Sequence, residues 1–336
     1  MAEWSLVKKR TKLTIFLLMI FVFVLGIVSD HFASQFFSFQ QFPAPVRQKG
    51  YTYVSPLLYC RYPNANNSKL ISQLHNKLEG YITEADNKGV AQNISVYFHD
   101  PTTGEWMSVN GTQQYAIASL VKVPLFMMIY KEADTDPSLL SKKLQFTLPN
   151  DNSMENFKPT ASEDLRLGDS YSVDDLISRM IKYSDNNAMD LLTSQIKLDQ
   201  FNSDLIQLNF SPIQGNSQSD ILMTVGKYAT FFRILYNATY LSPEMSEKAL
   251  KLLSQTTFTS GIVAGVPKNI PVAHKFGERA YDTDATKELH DCGIVYFPNH
   301  PYMLCIMTKG TDFGSLATVL KTISQKTYDE VKVSYP

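Results

Sequence analysis

The stretch Ile117-Ala118-Ser119-Leu120-Val121-Lys122-Val123-Pro124 places a serine three residues before a lysine at the mouth of an apolar run. If that run is helical, the two positions lie one turn apart on the same face, and the Lys122 amine reaches the Ser119 oxygen. A serine hydroxyl is too weakly acidic to attack a carbonyl unaided, and a lysine held in a partly dry site drops its pKa far enough to accept the proton. The first N–H groups of the helix have no intrahelical partner and point at any oxyanion forming beside Ser119. Pro124 agrees, because proline is tolerated in a first turn and not deeper. Alone, Ser-x-x-Lys also describes an N-cap serine with a solvated lysine, so the rest of the chain decides between nucleophile and cap.

Outward from this stretch the hydrophobic period changes twice. On the N-terminal side Ile94, Val96 and Phe98 alternate with polar positions, Asp100-Pro101-Thr102-Thr103-Gly104 makes a turn, and Glu105 to Val109 returns, a hairpin feeding the serine helix. Before the hairpin, Leu70, Ile71, Leu74, Leu78, Tyr81 and Ile82 fall on one helical stripe behind Ser68 as N-cap and ending at Gly89. On the C-terminal side the chain reads as mostly helical to about Gln255, with loops around 133–170 and 211–223. Strand-like runs follow near Val272–Gly277, Cys292–Phe297 and Met303–Thr308, then an amphipathic helix from roughly Phe313 to Val331. Strands at both ends with helices between them predict an α+β fold, an α/β sandwich whose antiparallel sheet is assembled from distant segments around an inserted helical subdomain.

Two further signals lie downstream of the serine. Met180-Ile181-Lys182-Tyr183-Ser184-Asp185-Asn186-Asn187-Ala188 closes a helix-like run, and Ala273-His274-Lys275-Phe276-Gly277-Glu278 lies on the first late strand. Singly, Ser-Asp-Asn is an ordinary turn or cap, and Lys-x-Gly marks a bulge or an exposed edge. Here Ser184 stands 65 residues beyond Ser119, and Lys275 stands 91 beyond Ser184. In that order and at those separations the three motifs resemble those of the class A β-lactamase-like serine hydrolases, a group that includes penicillin-binding proteins. The resemblance covers about residues 68 to 333 and implies a β-lactamase/transpeptidase-like fold. It makes Ser119 the acylated nucleophile, Lys122 a proton acceptor and Ser184 the relay to the leaving nitrogen. Asn186 would hold Lys122 and the substrate amide, Lys275 would attract a substrate carboxylate, and the N–H groups of Ser119 and Glu278 would form the oxyanion hole. The implied substrate is a small-molecule β-lactam or a peptidoglycan-type peptide, hydrolysed through an acyl-enzyme. A D-alanyl-D-alanine-type peptidase, a penicillin sensor and a non-catalytic wall-binding protein are the alternatives.

Two positions depart from the family pattern. Between Lys275 and Gly277, where a hydroxyl residue usually helps to hold the carboxylate, this chain has Phe276, leaving Lys275 and Arg279 for that task. The family's deacylating glutamate, in a Glu-x-x-Leu-Asn loop, is missing: Leu208-Asn209 imitates the loop's end, but Leu205 stands where the acid belongs. The only carboxylate between Ser211 and Asp220 is Asp220 itself, a weak substitute that also reads as a capping acid before the run from Thr224.

The N-terminus has a separate organisation. Lys8, Lys9, Arg10 and Lys12 precede Leu13 to Ser29, a seventeen-residue run without a charge. No small-x-small cleavage site follows Asp30, so an uncleaved transmembrane anchor over 13–29 is expected ahead of a cleaved signal peptide. A cytoplasmic basic tail then covers 1–12, and everything after Asp30 is extracytoplasmic. Residues 30–66, punctuated by Pro43, Pro45, Gly50, Pro56 and Pro63, read as a stalk that lies against the domain toward its end, and 67–333 as the folded domain. Five Asn-x-Ser/Thr sequons, at Asn66, Asn93, Asn110, Asn209 and Asn237, suit an exported chain.

At 336 residues and 44% hydrophobic the chain can bury a full core, and a net charge of -1 gives no electrostatic reason to expect nucleic acid. The six histidines have no metal-ligand spacing and no glycine-rich phosphate loop precedes a helix, so neither metal nor cofactor is expected. Cys60, Cys292 and Cys305 are too few for a zinc site; Cys292 and Cys305 fit a bridge or two buried thiols equally well.

Overall fold

The computed structural model describes residues 18–26, 29, 46–59, 69–147, 157, 164–194, 198–208, 210, 221–281 and 283–335. The chain divides into two compact units, Met1–Ala44 and Pro45–Pro336. In the first, residues 18–26 form a helix, α1, with exposed apolar side chains from Leu18 to Leu25. Among the described residues no helix is long and apolar enough to cross a membrane. The remaining positions of the 13–29 run, apart from Ser29, lie outside the described residues, as do the basic tail and much of the stalk.

In the second unit, part of the stretch read as stalk is folded onto the domain. Strands β1 (Val46–Arg47) and β2 (Leu57–Tyr59) pair antiparallel. Between them the N–H groups of Thr52, Tyr53 and Val54 donate to the Glu247 carboxylate at 2.7–2.9 Å. That acceptor fixes three consecutive backbone donors and so holds the strap in place.

The periodicities fold as their spacing requires. Helix α2 (Lys69–Asn87) buries Leu70, Ile71, Leu74, Leu78 and Ile82, while its expected cap, Ser68, lies outside the described residues. The hairpin is β3 (Asn93–His99) and β4 (Trp106–Val109), turned by Asp100, whose carboxylate accepts from Thr102 N at 2.7 Å and Thr103 N at 3.2 Å. The late strands β9 (Val272–Ala280), β10 (Lys287–Val295) and β11 (Tyr302–Gly310) join them in one antiparallel sheet of order β4-β3-β11-β10-β9. Alternation divides the core in two. Leu304 and Ile306 pack with α2 and α9 (Phe313–Ser334), whereas Met303, Cys305 and Met307 pack with the helices inserted between β4 and β9, including α7 (Val225–Tyr236). The consequence for function is that β9 is an edge strand.

Strand β10 begins at Lys287, five residues before the apolar run that announces it. Glu288, His290 and Asp291 are buried there with partners inside the fold, so a charged sequence forms a core strand because each polar group is satisfied. The segment expected as loop around 133–170 also contains structure: β6 (Lys143–Gln145) pairs with β7 (Ser170–Ser172). Cys292 and Cys305, direct register partners on β10 and β11, are joined by a disulfide, which decides between the two alternatives left by the sequence.

His99 closes β3 opposite Trp106, and its Nδ1 is buried without a hydrogen-bond partner among the described residues. Burial, aided by the nearby Arg233, holds the imidazole down from 6.5 to about 4. The unfolded chain therefore takes up this proton first. Stability is complete above the ordinary histidine range and is lost as pH falls through the window from 6.5 toward 4. In His99→Gln, the unfolding free energy from urea titrations should change less steeply across that window; an unchanged profile would show that His99 titrates normally.

Candidate active site

Three chain segments meet at one serine hydroxyl. The first is the turn before α3. Ala118–Val121 form a 3₁₀ turn that runs directly into α3 (Lys122–Thr135), so Ser119 sits in the turn, Lys122 opens the helix and Pro124 falls in its first turn. Ala118 has φ +46°, a left-handed conformation that costs a non-glycine residue about 1–3 kcal/mol and persists only where its surroundings fix it.

The surroundings do so with buried polar groups. Ala116 N donates to Glu288 Oε2 at 3.0 Å, and Ile117 N donates to Ile221 O at 3.0 Å. His290 Nδ1 accepts from Thr308 N at 3.2 Å, which places the ring proton on Nε2 and makes that atom the donor to Ala116 O at 3.0 Å. Tyr228 Oη donates to Leu120 O at 2.9 Å, and burial pushes the phenol well above its usual range, keeping it a donor.

The second segment joins α4 (Val173–Lys182) to α5 (Asn186–Thr193). Asp185 is the N-cap of α5, accepting from Ala188 N at 3.1 Å, so the ordinary capping role of such a triplet is present. Ser184, just before it, has φ +57°, and this left-handed turn precedes Asn186 at the first position of the helix. The third segment is β9, carrying Lys275.

Lys122 Nζ lies 3.1 Å from Ser119 Oγ, 3.0 Å from Ser184 Oγ and 2.6 Å from Asn186 Oδ1, and it also donates to the Ser184 carbonyl. Lys275 Nζ donates to the same Ser184 Oγ at 3.0 Å and to Phe276 O at 3.0 Å. Both lysines are 0% exposed and Ser184 is 2% exposed, whereas Ser119 is partly open to solvent. Two amines that share one oxygen at these distances are no more than about 6 Å apart.

Gly277 makes this approach sterically feasible. A Cβ there would stand 2.8 Å from Ile117 O and 3.2 Å from Leu120 N, so no side chain fits between the edge strand and the serine turn. The peptide leading to Glu278 thereby lies beside the Ser119 turn, while the Glu278 carboxylate accepts from Phe157 N at 2.9 Å. The Phe276 ring is 2% exposed and stacks on Phe258 with centroids 4.2 Å apart. The Arg279 guanidinium sits over the Tyr281 ring at 4.5 Å. Asp220 lies outside the described residues. Glu288, His290, Tyr228 and Phe258 were not singled out by the sequence; the one available signal was an acid-His-Asp run on an otherwise apolar strand. Among the described residues no group of His, Cys, Asp and Glu side chains could hold a metal ion.

The sequence model of the beta-lactamase enzyme family matches residues 74–331. The chain belongs to this family. Beta-lactamase VEB-1 of Pseudomonas aeruginosa is 22% identical over 253 residues, which cover 71% of this chain and 81% of that protein. The TLA-3 extended-spectrum beta-lactamase superposes with a TM-score of 0.67 at 18% identity, covering 77% of this chain and 98% of that one. A mutant of PBP-A, solved as an acyl-enzyme complex with penicillin-G, superposes with a TM-score of 0.65 at 19% identity, covering 78% of this chain and 97% of that one. These likenesses establish the β-lactamase/transpeptidase fold.

Gly277→Ala is expected to push β9 away from the serine turn, lowering stability by about 1–3 kcal/mol, the usual range for overpacking. Chemical denaturation checks this; wild-type stability would show that the two segments need not approach so closely.

Proposed function

We propose that the chain is a serine hydrolase that forms an acyl-enzyme on Ser119 from a β-lactam amide and releases it slowly. The junction at Ser184 Oγ, where Lys122 and Lys275 both end, carries this reading. A neutral Lys122 amine satisfies its surroundings: its N–H groups serve the carbonyl oxygens of Ser184 and Asn186, and its lone pair faces the Ser119 hydroxyl. Ser119 Oγ attacks the amide carbonyl carbon and its proton passes to Lys122. As the C–N bond breaks, Ser184 gives its proton to the departing nitrogen and recovers one from Lys122, so the relay closes without net gain or loss. The positive charge of Lys275 steadies Ser184 Oγ while it is short of a proton. The N–H groups of Ser119 and Glu278 serve as oxyanion donors.

Slow release follows from the sequence between Ser211 and Asp220, which offers only one short acid to activate water. The same feature supports a D-alanyl-D-alanine-type peptidase or a penicillin sensor as the second reading, since these share the acylation step. The basic cluster before the uncharged run over 13–29 supports a membrane-tethered enzyme acting outside the cytoplasm, where β-lactams and peptidoglycan-type peptides are met.

A stopped-flow trace with a chromogenic cephalosporin reads both steps. A burst of one equivalent followed by a nearly flat phase is expected, and Lys122→Ala should slow the burst by at least ~10²-fold, the usual scale for losing a general base. Sustained turnover that disappears in Asp220→Asn would overturn slow release. A burst unchanged in Lys122→Ala would remove its proton-transfer role.

A further inference from the structure

The far half of α3 borders a cavity that acyl transfer does not use. It lies between α3 and α6 (Leu198–Gln207), beside positions six to ten residues beyond Lys122, and its volume of about 350 Å³ is that of a small-molecule site. The floor is apolar: Met128, Ile129 and Phe201 line it and are otherwise buried. Lys131 and Glu132, both exposed, and the half-buried Asp204 stand at its mouth. Helical spacing groups them, since Met128 and Glu132 lie one turn apart on α3, as do Phe201 and Asp204 on α6.

The charges at the mouth do not cancel. Lys131 Nζ is already engaged, donating to Tyr240 O at 2.8 Å and lying 5.3 Å from the Tyr240 ring centroid. Two neighbouring acids are engaged as well: Asp134 accepts from Ser242 N at 2.8 Å and Ser242 Oγ at 2.6 Å, and Asp136 accepts from Ser138 N at 3.1 Å and Ser138 Oγ at 2.6 Å. The Glu132 carboxylate has neither a hydrogen bond nor an ion pair among the described residues. It stands in the last turn of a helix that has no basic residue there, where the carbonyl ends already concentrate negative potential. Asp204 brings a second carboxylate from α6; burial, and then this carboxylate, hold the neighbouring Tyr240 phenol above its usual range.

An unfilled apolar hollow forfeits van der Waals contacts, and a negative mouth selects the charge of whatever fills it. We propose that this cavity is a binding site for a protonated primary amine with an aromatic or branched aliphatic body. The ammonium sits between Glu132 and Asp204 at the carbonyl end of α3. The body rests on Met128, Ile129 and Phe201, where a thioether and an aromatic ring adapt to a flat or branched group. An anion of the same shape meets like charge, and a small amine without the body leaves the floor unfilled. The site is distinct from Ser119 and independent of the acyl-transfer reading.

Calorimetric titration of the full-length protein at low ionic strength, with phenethylamine, hydrocinnamate and methylamine as probes, tests this assignment. Phenethylamine is expected to bind one-to-one and at least ~10-fold more tightly than either of the others. Glu132→Gln should weaken it by ~3-fold and Glu132→Gln/Asp204→Asn by ~10-fold, the scale of one and two partly screened charge pairs. Glu132 is exposed, so the single variant decides where the double variant does not fold. No binding of phenethylamine at millimolar concentration, equal binding of hydrocinnamate, or wild-type affinity in folded Glu132→Gln overturns the site and leaves the hydrolase reading untouched.

Discussion

Everything at this site depends on one oxygen that lies within hydrogen-bond distance of two buried amines. Lys122 and Lys275 come from elements 153 positions apart in the chain, and Ser184 Oγ is the point at which they meet. Burying a cation costs several kcal/mol unless its protons find acceptors. Here they do, in the Ser184 hydroxyl and carbonyl, the Asn186 amide and the Phe276 carbonyl. The same crowding brings the Lys122 amine within 3.1 Å of the Ser119 hydroxyl.

The backbone bears part of that cost. Ala118 and Ser184 both adopt left-handed conformations without being glycine, one immediately before Ser119 and the other at the shared hydroxyl. Such strain survives only where neighbouring contacts over-determine it. Glu288 and His290 on β10 supply those contacts for the strand leading to Ala118, and Asp185 supplies them for Ser184 by capping the next helix. The sheet is thus more than a scaffold: its second strand reaches through to hold the serine turn, and its edge strand delivers the third motif past Gly277.

Much of this arrangement was legible in the chain because it is local. Ser119, Lys122 and Pro124 are linked by helical spacing, and Ser184, Asp185 and Asn186 by a turn and its cap, so residue order alone places them. The sheet's composition was equally visible in the alternation at Ile94, Val96 and Phe98. What was hidden is what distant segments do to one another. Glu288, His290 and Asp291 disguise the start of β10 because charge argues against burial until the partners are known. Phe276 was conspicuous as a replacement for a hydroxyl, yet its stacking on Phe258, eighteen positions earlier, has no signature in spacing. Cys292 and Cys305 could be read as a bridge or as thiols until their strand register made them direct neighbours.

Ser119 is the residue expected to become covalently modified. Peptide mapping by mass spectrometry after incubation with a labelled penicillin addresses this directly. A single adduct on the peptide containing Ser119, absent in a folded Ser119→Ala variant, is the predicted result. An adduct on another residue, or none with the fold intact, would contradict it.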